Sequence, residues 1–300
     1  MASLCGTFLL LAATAIVALP TEEIQDHSRR VKFWFKPSTE NFGPTMELLG
    51  NNTASVTDII VYCGFGIAPS GEFATNITHG GGNMTLCKPT LDAVKKLGLK
   101  AHLITKTQNQ LLSTVMNAVQ NPQSVVDGML RVCQDWGIDG WNIDWEPRGD
   151  QATAEDQAEF AQFLQGASSM LQVSDCELTL DVGHWGLLNN YSLYAGATSK
   201  LLDMSLYRGA NFSSWSASFQ NSLAETGPAK LGVGFGDWAW GDRNRDPTDH
   251  WDQTEESVVQ RLGAVIASGI TEVDVFLLDA TKSLPPSFYW SHLKSFLEHQ

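Results

Sequence analysis

Gly137-Ile138-Asp139-Gly140-Trp141-Asn142-Ile143-Asp144-Trp145-Glu146-Pro147 is the stretch on which the reading of this chain turns. Bulky Trp and Ile alternate with short polar or acidic residues, and Pro147 ends the run, which is the pattern of a strand. Alternation puts Asn142, Asp144 and Glu146 on one face and Trp141, Ile143 and Trp145 on the other. Two carboxylates and a carboxamide in line along a buried strand are costly to desolvate without partners, so this face is the first place to look for chemistry.

Outward from that strand, short apolar runs alternate with helical patterns. Strands are expected at 31–35, 58–65, 99–105, 138–145, 177–183, 201–207, 230–236 and 272–278, with amphipathic helices such as 90–97, 125–136, 154–171 and 257–268. Gly98, Gly137 and Gly269 each stand between a helix and the next strand, where a left-handed cap is usual. Eight such strands predict an α/β chain folded as a single-domain (β/α)8 TIM barrel; an open doubly wound sheet is the alternative. Roughly 35 residues separate the last two strands, too few for a large α+β insertion. A barrel carries its active site at the strands' C-terminal ends, which is where Glu146 falls.

Residues 1–20 form an apolar run with small residues near its end, which reads as a signal peptide preceding a catalytic domain at 21–300. Its removal takes Cys5 and leaves Cys63, Cys87, Cys133 and Cys176, enough for two disulfides or for four free thiols. Five N-x-Ser/Thr sequons, at Asn51, Asn76, Asn83, Asn190 and Asn211, agree with a glycosylated protein that is secreted or lysosomal. A net charge of −14 argues against nucleic acid and anionic membranes as partners. The dispersed His and Cys give no metal-ligand spacing, and Gly80-Gly81-Gly82 lacks the Lys-Ser/Thr of a phosphate loop, so no metal and no cofactor are expected.

The segment Asp139-Gly140-Trp141-Asn142-Ile143-Asp144-Trp145-Glu146 resembles the D-G-x-D-x-D-x-E signature of glycoside hydrolase family 18, the chitinase family, which lies on the fourth strand of a (β/α)8 barrel. Asn142 stands where most members carry Asp, an exchange also found in the di-N-acetylchitobiase branch. Gly232-Val233-Gly234-Phe235 resembles the family's seventh-strand G-V-P-F, and Leu180-Asp181-Val182 with Trp185 is similar to the chitobiase fifth strand. Three segments depart from the family. Met204 comes one place early and Arg208 replaces Asp in the sixth-strand M-x-Y-D, Phe276 stands nearest the usual eighth-strand Trp, and Thr105-Lys106-Thr107 lacks the third-strand S-x-G-G.

The resemblance implies retaining, substrate-assisted hydrolysis of β-linked N-acetylglucosamine in chitooligosaccharides or N-glycan cores. Glu146 would be the general acid/base, Asp144 would orient the acetamide, and Tyr207 would donate to its carbonyl; Asn142 completes the catalytic set. The residues themselves require Glu146 to be protonated near working pH, coupled to Asp144, with Asn142 able to bond Asp144 without adding charge. Asp139, Trp145, Asp181, Trp185, Trp238 and Phe276 are candidates for substrate binding; Trp240 is a further possible platform for a pyranose face. His184 reads better as a structural histidine than as a catalytic one. A lectin of the same fold that binds chitin or glycan without cutting it is the runner-up reading, and a secreted barrel with an unrelated partner the third.

Overall fold

The computed structural model describes residues 28–77, 82–149, 151–207, 212–236, 254–281 and 285–299. The expected leader, Arg208, Asn211, Trp238 and Trp240 lie outside the described residues. Eight strands form the barrel: β1 Arg30–Phe35, β2 Asp58–Ile67, β3 Lys100–Thr107, β4 Gly140–Asp144, β5 Glu177–Val182, β6 Lys200–Asp203, β7 Leu231–Gly236 and β8 Glu272–Leu278. Each pairs in parallel with the next, and β1 pairs with both β2 and β8, which closes the ring. A two-residue strand, Phe73–Ala74, adds antiparallel to β2.

Around the ring lie α1 Phe42–Asn51, α2 Met84–Lys96, α3 Leu112–Gln120, α4 Pro122–Trp136, α5 Ala154–Gln172, the short α6 Tyr191–Tyr194, α7 Phe212–Thr226, α8 Glu255–Ala267 and α9 Ser287–Glu298. Their ends follow from sequence: Thr153 and Asp156 make a capping box on α5, Pro122 opens α4, and Gly137 closes it at φ 57°. The closed ring is the expected (β/α)8 barrel.

Alternation along each strand divides two layers. Val31, Phe33, Phe35, Trp141, Ile143, Leu178, Leu180, Val233 and Val275 face outward into the apolar layer under the helices. The inner face carries Lys32, Trp34, Tyr62, His102, Lys106, Asn142, Asp144, Thr179, Asp181, Glu272 and Asp274. Trp34, Ile60, Tyr62, Ile104, Leu202, Met204 and Tyr207 make a separate inner cluster.

The strands' N-terminal end is floored by charge. Arg30 bonds Asp58 and Glu177, Lys32 lies 2.9 Å from Glu272, and His102 Nε2 lies 2.7 Å from Asp58. Removing one member of so buried a set would strand its partners, so the floor acts as a unit.

Disulfides join Cys63 to Cys87, tying β2 to α2, and Cys133 to Cys176, tying α4 to the start of β5. No helix among the described residues is long and apolar enough to cross a membrane. The sixth strand departs from expectation: it stops at Asp203, and Met204–Tyr207 turn into a 3-10 helix. The whole run 201–207 is apolar enough to pass for strand, and nothing in its composition marks the turn.

Candidate active site

Glu146 follows the last residue of β4 by two positions and stands half-buried at the barrel mouth. Burial, then the charge of Asp144, push its carboxyl up to about 7, against Lys106 and Arg148, which pull it down. A carboxylic acid still protonated near neutrality has the state required of a general acid.

Asp144 is buried, and its Oδ2 lies 2.7 Å from Lys106 Nζ. The two residues are direct partners in the β3–β4 register. Asp144 Oδ1 is buried without a hydrogen-bond partner among the described residues. The Lys106 ammonium also lies 5.4 Å from the centroid of the Tyr62 ring. Burial opposes the charge on Lys106, yet Asp144, Glu146 and Asp181 together raise its pKa above the ordinary lysine value.

Asn142 does not bond Asp144, contrary to the sequence expectation. Its Nδ2 donates to Asp181 Oδ1 at 2.9 Å and to Thr179 Oγ1 at 3.1 Å, because β5 is nearer to that face than the next inward residue of β4. Asp181 is buried, and burial with the charge of Asp144 pushes its carboxyl well up, against the Asn142 hydrogen bond. Asp274, deeper in the barrel, is also pushed well up, by burial and by Glu272. The interior is therefore a column of acids, in which Lys106 holds Asp144 near the mouth as Lys32 holds Glu272 at the floor.

Tyr207 closes the 3-10 turn after β6 with its ring stacked on Phe276 at 5.5 Å and set edge-on to Trp34 at 5.4 Å. Burial first, then Asp181 and other neighbours, raise its phenol well above the usual value, so it remains a donor. Gly234 makes room for it: a Cβ there would come within 2.5 Å of the Tyr207 ring. Gly66 serves β3 in the same way, since a Cβ would meet the Lys106 carbonyl oxygen at 2.0 Å.

Other expected site residues go elsewhere. Trp145 is packed on the helix side, stacked with Phe163 at 5.4 Å, with its Nε1 donating to Thr105 Oγ1. Its ring has no face open to the mouth, as strand alternation requires of a residue next to Asp144. Asp139 sits at the opposite end of β4 from Glu146, where its Oδ2 accepts the Ala101 backbone N–H at 2.8 Å, a strand-bracing contact. Trp185, 45% exposed after β5, stands at the rim, and Phe276 lies in the inner aromatic cluster. His184 stacks on Tyr191 at 5.2 Å. Three inner-face residues escaped the sequence reading as site components: Lys106, Tyr62 and Trp34. The signal was alternation itself, which puts Trp34 and Tyr62 inward once the strands' register is known.

A cavity of about 480 Å3 on the outside of the barrel, lined by Val126, Phe163, Met170 and neighbours from α3, α4 and α5, gathers no buried charge. No cluster of three or more His, Cys, Asp or Glu among the described residues is arranged to hold a metal ion.

No family model and no curated protein matches this chain. Solved structures do match its fold. A chitinase from Chromobacterium violaceum ATCC 12472 superposes with a TM-score of 0.70 at 15% identity, over 91% of this chain and 100% of that one. A class V chitinase from Pseudomonas fluorescens Pf-5 gives 0.67 at 12% identity, over 90% and 100%. The Ostrinia furnacalis Group IV chitinase in complex with allosamidin gives 0.64 at 11%, over 90% and 98%. At such identities the likeness carries the barrel architecture and nothing finer.

Proposed function

We propose that this chain is a retaining glycoside hydrolase that cleaves β-linked N-acetylglucosamine in chitooligosaccharides or N-glycan cores. The observation that carries the reading is Glu146, a carboxyl held up to about 7 at the C-terminal end of β4, two residues from a carboxylate paired with a cation. The names of the structural neighbours, chitinases, agree with the substrate class.

In the reaction Glu146 protonates the glycosidic oxygen as the bond to the anomeric carbon breaks. The substrate's acetamide oxygen attacks that carbon, giving an oxazolinium ion, so no protein nucleophile is needed. Asp144 Oδ1 accepts the acetamide N–H and stabilises the positive charge that develops there. The Tyr207 hydroxyl donates to the acetamide oxygen and fixes its approach. Glu146, now a carboxylate, takes a proton from water as that water opens the oxazolinium on the same face from which the leaving group departed. Trp185 at the rim offers an apolar platform to a neighbouring sugar. The sequons and the two disulfides suit a protein matured in the secretory pathway. Short glycans rather than crystalline polymer, as in the chitobiase branch, are the substrates of this reading.

Time-resolved mass spectrometry of chitotriose and chitotetraose with the mature protein and its Glu146→Gln variant tests it. Cleavage by the wild type alone is expected, and the product ladder identifies the bond cut. Saturable binding without cleavage by either protein would overturn the hydrolase and assign a lectin.

A further inference from the structure

Lys106 is the feature of the mouth that the proposed reaction leaves without a role. It stands on β3 beside Asp144, its side chain is 19% exposed, and its ammonium takes Oδ2 of that carboxylate at 2.7 Å. The inner face places three more carboxyls nearby: Glu146, Asp181 and Asp274. In such a column, with no cation, neighbouring acids share protons and rotate between partners. Asn142, the side chain best placed along the strand to restrain Asp144, is already committed to Asp181 and Thr179.

We propose that Lys106 is a positioning residue: it holds the Asp144 side chain in one rotamer, with Oδ2 engaged and Oδ1 presented to the acetamide N–H. The proposal rests on the hydrolase reading above and specifies how its orienting carboxylate is controlled. Stabilising an oxazolinium needs a negative charge at a fixed point, and a swivelling side chain would lose that alignment. Lys106 reaches that point from a neighbouring strand. Gly66, whose missing Cβ lets β2 lie against the Lys106 carbonyl, and Tyr62, whose ring lies under the ammonium, keep the lysine in place. The charged groups facing this pair are Glu146 and Arg148 after β4, Asp181 on β5, and Lys36 after β1, whose own pKa is lowered by burial and by Lys106.

Three variants test it: Lys106→Met removes donor and charge, Lys106→Gln keeps an N–H donor without charge, and Lys106→Arg keeps both. The readouts are kcat and KM for chitotriose between pH 4 and 9, and the midpoint of Glu146 from carbon-13 carboxyl resonances, assigned with Glu146→Gln. Lys106→Gln is expected to lower kcat by about 100-fold while KM changes by less than about threefold. It should also move the Glu146 midpoint and the alkaline limb up by about one unit, because a cation that favours the Glu146 anion is gone. Lys106→Arg should recover most of kcat and return the midpoint.

A Gln variant with wild-type kcat would overturn the proposal. So would a loss of rate with an unmoved midpoint and no rescue by Arg, which is how a purely structural lysine behaves. If the wild type cuts no N-acetylated oligosaccharide, the hydrolase reading fails by itself. The carboxyl titration then decides Lys106 alone: an unmoved midpoint rejects its hold on the site, and an alkaline move retains it.

Discussion

Asn142 and Asp181 are joined across β4 and β5 by a 2.9 Å hydrogen bond, in which the carboxamide donates and the carboxyl accepts. The polar residue two places before Asp144 therefore braces the next strand. Asn142→Asp would set a second carboxyl against one that burial already holds well above its usual range. The pair would keep a shared proton and lose it as a unit. Once the pair ionises, its added charge raises Glu146 further, so the alkaline limb of kcat/KM should move up, with a loss of about 1–3 kcal/mol in stability from the missing donor. A pH profile superimposable on wild type would refute this account.

Glu146 sets the upper pH limit of the proposed reaction. With its carboxyl up at about 7, kcat/KM should fall tenfold per unit above that pH as the acid is lost. The same shift has a sign for stability. A carboxyl raised from 4.5 to about 7 in the folded state binds more protons there than in the unfolded chain, so stability falls as pH rises between those values. The difference is about 2.5 units, or about 3 kcal/mol at most, because the group is half-buried and partly screened. Glu146→Gln should therefore melt higher than wild type at pH 8 and match it at pH 4. Equal melting temperatures at pH 8 would show that the site stores no such strain.

Trp145→Ala separates a core role from a sugar platform. The ring is buried between β4 and α5, against Phe160 and Phe163, so truncation should cost about 3–5 kcal/mol in denaturant unfolding. KM of the remaining folded enzyme should stay within about twofold, whereas Trp185→Ala, at the rim, should raise KM with little change in stability. The reverse pattern would return Trp145 to the binding site.

The sequons differ in what their asparagines already do. Asn51, Asn76 and Asn83 are exposed. Asn190 is half-buried: its Oδ1 accepts the Leu193 N–H as the cap of α6, and its Nδ2 donates to Gln157 across to α5. The amide nitrogen that a glycan would occupy is thus in use. Glycopeptide mapping of protein from a eukaryotic host should find Asn190 unoccupied and at least one of the exposed three occupied. Full occupancy at Asn190 would mean that the sugar is added before α6 docks on α5.

The barrel was legible because its signals are local. A 2-residue period in β4, glycine at helix ends and long apolar runs each report on their own segment, and Gly98, Gly137 and Gly269 all take positive φ, at 77°, 57° and 73°. The site was legible on β4 and, through the family resemblance, at Asp181, Tyr207 and Phe276, which lie inside the barrel. Alternation alone sets Trp145 opposite Asp144, and its ring is buried against Phe163 of α5, away from the mouth. Lys106 carries no local mark: a lysine between two threonines looks like a solvated residue until a neighbouring strand brings Asp144 to it. Tyr207 was placed at a strand end, but the chain turns into a 3-10 helix after Asp203, where Ser205 N–H and Ser222 Oγ both donate to Asp203. Serine 19 residues downstream is not a signal that one segment can show.

The charged floor of Arg30, Lys32, Asp58, His102, Glu177 and Glu272 makes the barrel a cup and not a pipe. Nothing entering at Glu146 has an exit past Lys32 and Glu272, which are buried against each other. In the proposed reaction, substrate, product, water and the proton that Glu146 gives and regains would therefore all share one doorway.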